Sequence, residues 1–155
     1  MAWVADPWVR CNEIGANLMS QFGCDKCWSS EASDAWEAVT STPIETHLID
    51  ESHYIVSIRA CPSCSQRYLQ VTTEVVDWED GEDPIYRTII PVNNEERARL
   101  TISKPLDTSI LETIGGGRRS LRYAWPKGKI QVPTGEPEFM LAYTIRNSLL
   151  HKKIN

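Results

Sequence analysis

Four cysteines constrain this chain more than any other feature. They stand as two C-x-x-C pairs, Cys24 and Cys27 in "FGCDKCW" and Cys61 and Cys64 in "RACPSCSQRYLQV". Two thiolates three positions apart on a tight turn can reach one metal ion. Two such turns supply four soft sulfur ligands in tetrahedral geometry, a set that suits zinc. If all four meet, the 33 residues between Cys27 and Cys61 are forced into a closed loop. That loop is longer than the roughly 15–20 residues of a compact ribbon, so it has room for a short helix.

The residues alone leave three readings of the second pair open: half of a zinc site, a redox dithiol, or ordinary buried thiols. A redox cysteine of this type opens a helix whose N-terminus lowers its pKa. The residues after Cys64 alternate like a strand instead, and no βαβ pattern surrounds them. Four cysteines close the coordination shell, so the expected zinc is structural and not catalytic. Replacement of one cysteine ligand by His47 or His53 also stays open. Cys11, the fifth cysteine, falls on an apolar helical stripe and reads as a small buried hydrophobe.

The stretch "CPSCSQRYLQV" resembles the zinc ribbon class, in which CPxC followed by a small residue and then a strand is frequent. The resemblance spans about Gly23 to Val76 and implies Cys24, Cys27, Cys61 and Cys64 as ligands. It departs from the class in the long spacing and in Ser65, where such knuckles often carry glycine. It implies a metal, without specifying a function. CPSC is also similar to the active-site pair of glutaredoxin-like proteins, which keeps a CPxC redox protein as an alternative.

The rest of the pattern predicts an α+β fold, with an antiparallel sheet of at least three strands, flanking helices and the four-cysteine knuckle pair. "YIVSIRA" (Tyr54–Ala60), "RYLQVTTEVVDW" (Arg67–Trp78) and "IYRTIIPV" (Ile85–Val92) read as a meander, with Asp80-Gly81 as a turn. In the second of these, Leu69, Val71, Thr73 and Val75 share one face, and Tyr68, Gln70, Thr72 and Glu74 the other. Helices are expected from Pro7 to Phe22, around Ser29–Val39, after a cap at Asn94, and from about Pro137 to the basic end at His151–Lys153. Between Lys104 and Pro137 the glycine- and proline-punctuated stretch suggests a loop with one or two short strands.

At 155 residues the chain fits one domain, 1–155. No apolar run approaches the ~20 residues of a membrane-spanning helix. The start, "MAWVADPWVRCNE", lacks the basic and apolar regions of a secretory signal, so a reducing cytoplasm is expected. Charge is divided unevenly. Residues 1–96 hold 5 Lys/Arg and 17 Asp/Glu, whereas 97–155 hold 11 and 4. The acidic stretch "EVVDWEDGEDP" offers Trp78 as an aromatic anchor among Asp80, Glu82 and Asp83, a candidate surface for a protein partner. It fails as a calcium loop, because Val76 and Trp78 would occupy ligand positions. The basic stretch "GGGRRSLRYAWPKGK" places Arg118, Arg119, Arg122, Lys127 and Lys129 around Tyr123 and Trp125, an arrangement that suits nucleic acid. Neither a G-x-S-x-G elbow nor an H-E-x-x-H helix occurs. The sequence therefore predicts a non-enzymatic zinc protein that recognises a protein partner, a bacterial immunity protein neutralising a toxin being one version. A nucleic-acid-binding zinc ribbon protein is the alternative.

Overall fold

The computed structural model describes residues 22–81, 83–115, 117–125 and 140–145. The helix expected from Pro7, with Cys11 on it, lies outside these residues, as do Glu82, Lys127, Lys129 and the end of the chain at His151–Lys153. Alternating β-branched residues form the centre of the fold. Six strands, β1 (Thr46–Glu51), β2 (Tyr54–Ala60), β3 (Arg67–Glu74), β4 (Ile85–Pro91), β5 (Arg119–Trp125) and β6 (Met140–Ile145), make one sheet. Their spatial order is their chain order, and every neighbouring pair is antiparallel. Two helices, α1 (Ala32–Thr40) and α2 (Asn94–Ile102), and a 3-10 turn (Thr108–Thr113) complete the described elements.

Both faces of the sheet are covered, by different parts of the chain. On the first face Tyr54 and Val56 of β2, Leu69 and Val71 of β3 and Ile90 of β4 pack under Leu100 of α2. Leu106, Leu111 and Ile114 extend the same cluster. On the second face Tyr68, Ile89 and Leu121 pack under Ala35 and Val39 of α1, together with Cys27 and Cys61. An antiparallel sheet commonly leaves one face to water. Here the second cover explains why the expected polar row of β3 is drawn inside, with Gln70 only 6% exposed. Ser57 of β2, directly across from Gln70, is fully buried.

The meander of β2, β3 and β4 matches the sequence reading, and α1 sits where the shorter helix was expected. Three details differ. The cap of α2 is Asn93 and not Asn94. Its side chain accepts from the Glu96 N–H at 2.8 Å, and Glu96 Oε2 accepts from the Asn93 N–H at 2.9 Å. That reciprocal pair needs cap and glutamate three positions apart, which only Asn93 satisfies. Secondly, Met140–Ile145, inside the segment read as a C-terminal helix, is strand β6. It lies along β5 from Arg119 opposite Ile145 to Ala124 opposite Met140. A short apolar run suits either period, and the open edge of β5 decides the matter in favour of a strand. Thirdly, β1 has no counterpart in the reading, because a bulge between His47 and Ile49 breaks its alternation.

Candidate metal centre

Each cysteine pair sits on a tight turn. In the first, the Trp28 N–H donates to the Cys24 carbonyl at 2.8 Å. The second joins β2 to β3 and repeats the arrangement, with the Ser65 N–H donating to the Cys61 carbonyl at 2.9 Å. Ser65 closes this knuckle with φ of +65°, in the left-handed region that glycine adopts at least cost. The positive φ is a reason for such knuckles to carry glycine at this position, which here is serine.

The two knuckles face one another, and their four sulfurs lie within 4.8 Å of each other. Cys24 Sγ is 3.8 Å from Cys27 Sγ and 3.9 Å from Cys61 Sγ, and Cys27 Sγ is 3.6 Å from Cys64 Sγ. A disulfide would need about 2.05 Å, so all four are thiols. Sulfurs at about 2.3 Å from a central ion form a tetrahedron with edges of about 3.8 Å. The three separations match such edges, so the donor set and its geometry fit a metal ion. Among the described residues no histidine joins the cluster. His47 is exposed on β1, and His53 Nδ1 lies 3.1 Å from Glu74 Oε2.

The electrostatics are uneven across the site. Backbone N–H groups of Cys27 and Lys26 lower the Cys24 thiol to about 6. Burial pushes Cys27 up to about 12 and raises Cys61 as well. Four thiolates this close repel one another, and a dication compensates that repulsion. Cys27 and Cys61 are buried, Cys24 is half-buried and Cys64 is exposed. The cluster thus lies at the edge of the second core.

Residues outside the motif bind the first knuckle to the sheet. The Tyr68 hydroxyl on β3 lies 3.0 Å from the Phe22 carbonyl and 3.2 Å from the Cys27 carbonyl. Its surroundings, burial above all, raise its pKa, so it stays a protonated donor. Arg119 of β5 donates to the Trp28 and Ser29 carbonyls at 2.9 and 3.2 Å, and its guanidinium lies 4.1 Å over the Trp28 ring. Gly23, with φ of +110°, lies so close to Cys27 Sγ that a Cβ there would overlap it. The sequence reading missed Tyr68 and Gly23 and gave Arg119 to nucleic acid. Only Gly23 carried a signal, by preceding Cys24.

The other candidate surfaces are placed as follows. Trp78 is 91% exposed at the β3–β4 tip. Beneath it, Asp77 Oδ1 accepts from the Glu79 and Asp80 N–H groups at 3.1 and 3.3 Å, and Asp83 Oδ1 accepts from the Asp77 N–H at 2.7 Å. Asp83 therefore shapes the tip, while the Asp80 side chain is exposed. In the basic stretch, Arg118 makes a 2.8 Å ion pair with Glu96, and Arg119 holds the knuckle. Tyr123 stacks on Trp36 of α1 with ring centroids 5.3 Å apart. Arg122 points to the first face, across from Thr88, and Trp125 ends β5. The structure thus brings the four cysteines together and engages Arg118 and Arg119 in separate contacts within the fold. No protein-family model, curated protein or solved structure matches this chain, so its function must be argued from the site itself.

Proposed function

We propose that the chain is a non-enzymatic zinc-binding protein, with a structural zinc joining its two knuckles, that recognises a protein partner through the β3–β4 tip. One observation carries the reading: four thiol sulfurs separated like the edges of a zinc–sulfur tetrahedron. An all-cysteine shell has no open position for water or substrate, which supports a structural role. A redox role for Cys61 is not favoured, because it directly follows strand β2 and enters a turn that leads to strand β3, with no helix following. For the partner, Trp78 supports a protein surface, since exposed aromatics on rigid frames are frequent binding anchors. The engagement of Arg118 and Arg119 within the fold argues for protein over nucleic acid. Neutralisation of a toxin is one form of this reading, consistent with small size and a net charge of −5.

The test is elemental mass spectrometry of untagged protein, with thiol counting under denaturing conditions. One zinc per chain, lost in Cys24→Ser and Cys61→Ser, is the expected result. Metal-free protein with a Cys61–Cys64 disulfide overturns it. For the partner, a complex that tolerates salt and disappears in Trp78→Ala is expected. Capture that a nuclease abolishes sinks the protein-partner reading.

A further inference from the structure

The second face of the sheet carries a buried arginine donor with no acceptor among the described residues, on Arg87. Arg87 of β4 lies directly across from Thr72 of β3 on one side and Tyr123 of β5 on the other. Its guanidinium carbon is 5.4 Å from the centre of the Tyr123 ring. Its Nε is buried and has no hydrogen-bond partner among the described residues. A buried donor left unmet costs about 1–3 kcal/mol, so it calls for an explanation.

A second arginine faces the same region. Arg59 Nε donates to Gln70 Oε1 at 2.7 Å, and Gln70 Nε2 donates to Thr72 Oγ1 at 3.2 Å. A further Arg59 nitrogen donates to the Thr42 carbonyl, which fixes the guanidinium in place. Thr72 Oγ1 is already an acceptor in this chain, and its own O–H is left to donate. Among the described residues no carboxylate pairs with Arg59 or Arg87. The hydrogen-bonded chain from Arg59 through Gln70 ends at Thr72, the residue directly across from Arg87. Bringing like charges together on a half-buried face is unfavourable unless an anion lies with them.

We propose that this face holds an oxyanion site in which Arg87, the Thr72 hydroxyl and Arg59 bind a phosphate group. The planar Arg87 fork suits two phosphate oxygens, the Thr72 O–H suits a third, and two guanidinium charges match a dianion. Tyr123 and Gln70 position the two arginines and have no role as ligands. The site lies apart from the tip, and its Arg87 and Thr72 lie apart from the cysteines in the register.

Isothermal titration of the full chain with inorganic phosphate tests the assignment, with a nucleoside monophosphate as a second arm. Saturable phosphate binding is expected. Arg87→Met should weaken it by roughly tenfold to a hundredfold, the worth of a charge-assisted hydrogen bond. Thr72→Val should weaken it less, and Arg97→Met, on an exposed ion pair elsewhere, should leave it unchanged. Tighter binding of the monophosphate identifies a phosphate ester as the ligand, and equal binding identifies free phosphate. If Arg87→Met fails to fold, Thr72→Val and Arg59→Met decide. An absence of binding in both arms overturns the site, as does equal weakening by Arg97→Met.

Discussion

Gly23 and Ser65 occupy comparable places, one beside each knuckle, and backbone geometry predicts opposite outcomes for changing them. At Gly23 an added methyl meets Cys27 Sγ and comes within 3.1 Å of the Tyr68 hydroxyl, at a φ that L-residues rarely adopt. Gly23→Ala should therefore cost about 1–3 kcal/mol and loosen the metal, which competition with a chelator would measure. Unchanged zinc affinity in that variant would contradict the geometry. Ser65 already bears the cost of a left-handed backbone, so Ser65→Gly should stabilise the fold by about 1 kcal/mol in urea unfolding. The cysteines were legible in the sequence because ligand spacing within a knuckle is local. Their supports were not. Tyr68 reaches a carbonyl 41 positions away, and Arg119 one 91 positions away. No window of sequence reports on such pairs.

Among the elements, α2 shows how one carboxylate fastens a helix to a sheet. Glu96 caps its own helix, accepts the Gly115 N–H at 3.1 Å, and pairs with Arg118 just before β5. Burial by itself would raise this carboxyl. Arg118 and the Asn93 and Gly115 N–H groups outweigh burial and hold it below the ordinary value. A depressed folded pKa gives stability that is fully present above the ordinary carboxylate range. That stability is lost as pH falls through the folded value. Urea midpoints should thus fall with acidification in the parent and vary less with pH in Glu96→Gln. Arg118→Met leaves a nearly buried carboxylate unpaired and should cost about 3 kcal/mol at neutral pH. The cap was legible to within one residue, because Asn-Asn-Glu-Glu admits two frames. Strand β6 was misread because its partner β5 was itself the weakest reading.

For the whole molecule, the two cores depend differently on the metal. Among the described residues the cluster under α2 contains no cysteine, whereas the cluster under α1 includes Cys27 and Cys61. Chelation should therefore open α1 and the first knuckle to hydrogen exchange while Val56, Leu69 and Val71 keep protected amides. Uniform loss of protection would show that the metal supports the entire sheet. The uneven charge also acts at this scale. Glu96–Arg118 and Glu45–Arg97 each join a residue of the acidic part, 1–96, to one of the basic part, 97–155.

The strictly sequential strand order bears on how the chain is made. Each described strand after β1 pairs with the one synthesised just before it, so the sheet can lengthen hairpin by hairpin as the polypeptide leaves the ribosome, with little long-range search. The cysteines are the exception. Of the four clustered cysteines, Cys24 and Cys27 emerge first and wait for Cys61 and Cys64, which take position only once β2 has turned into β3. Through that interval the thiols of Cys24 and Cys27 are unprotected, open to oxidation or to a wrong partner, and closure of the knuckles ends their exposure.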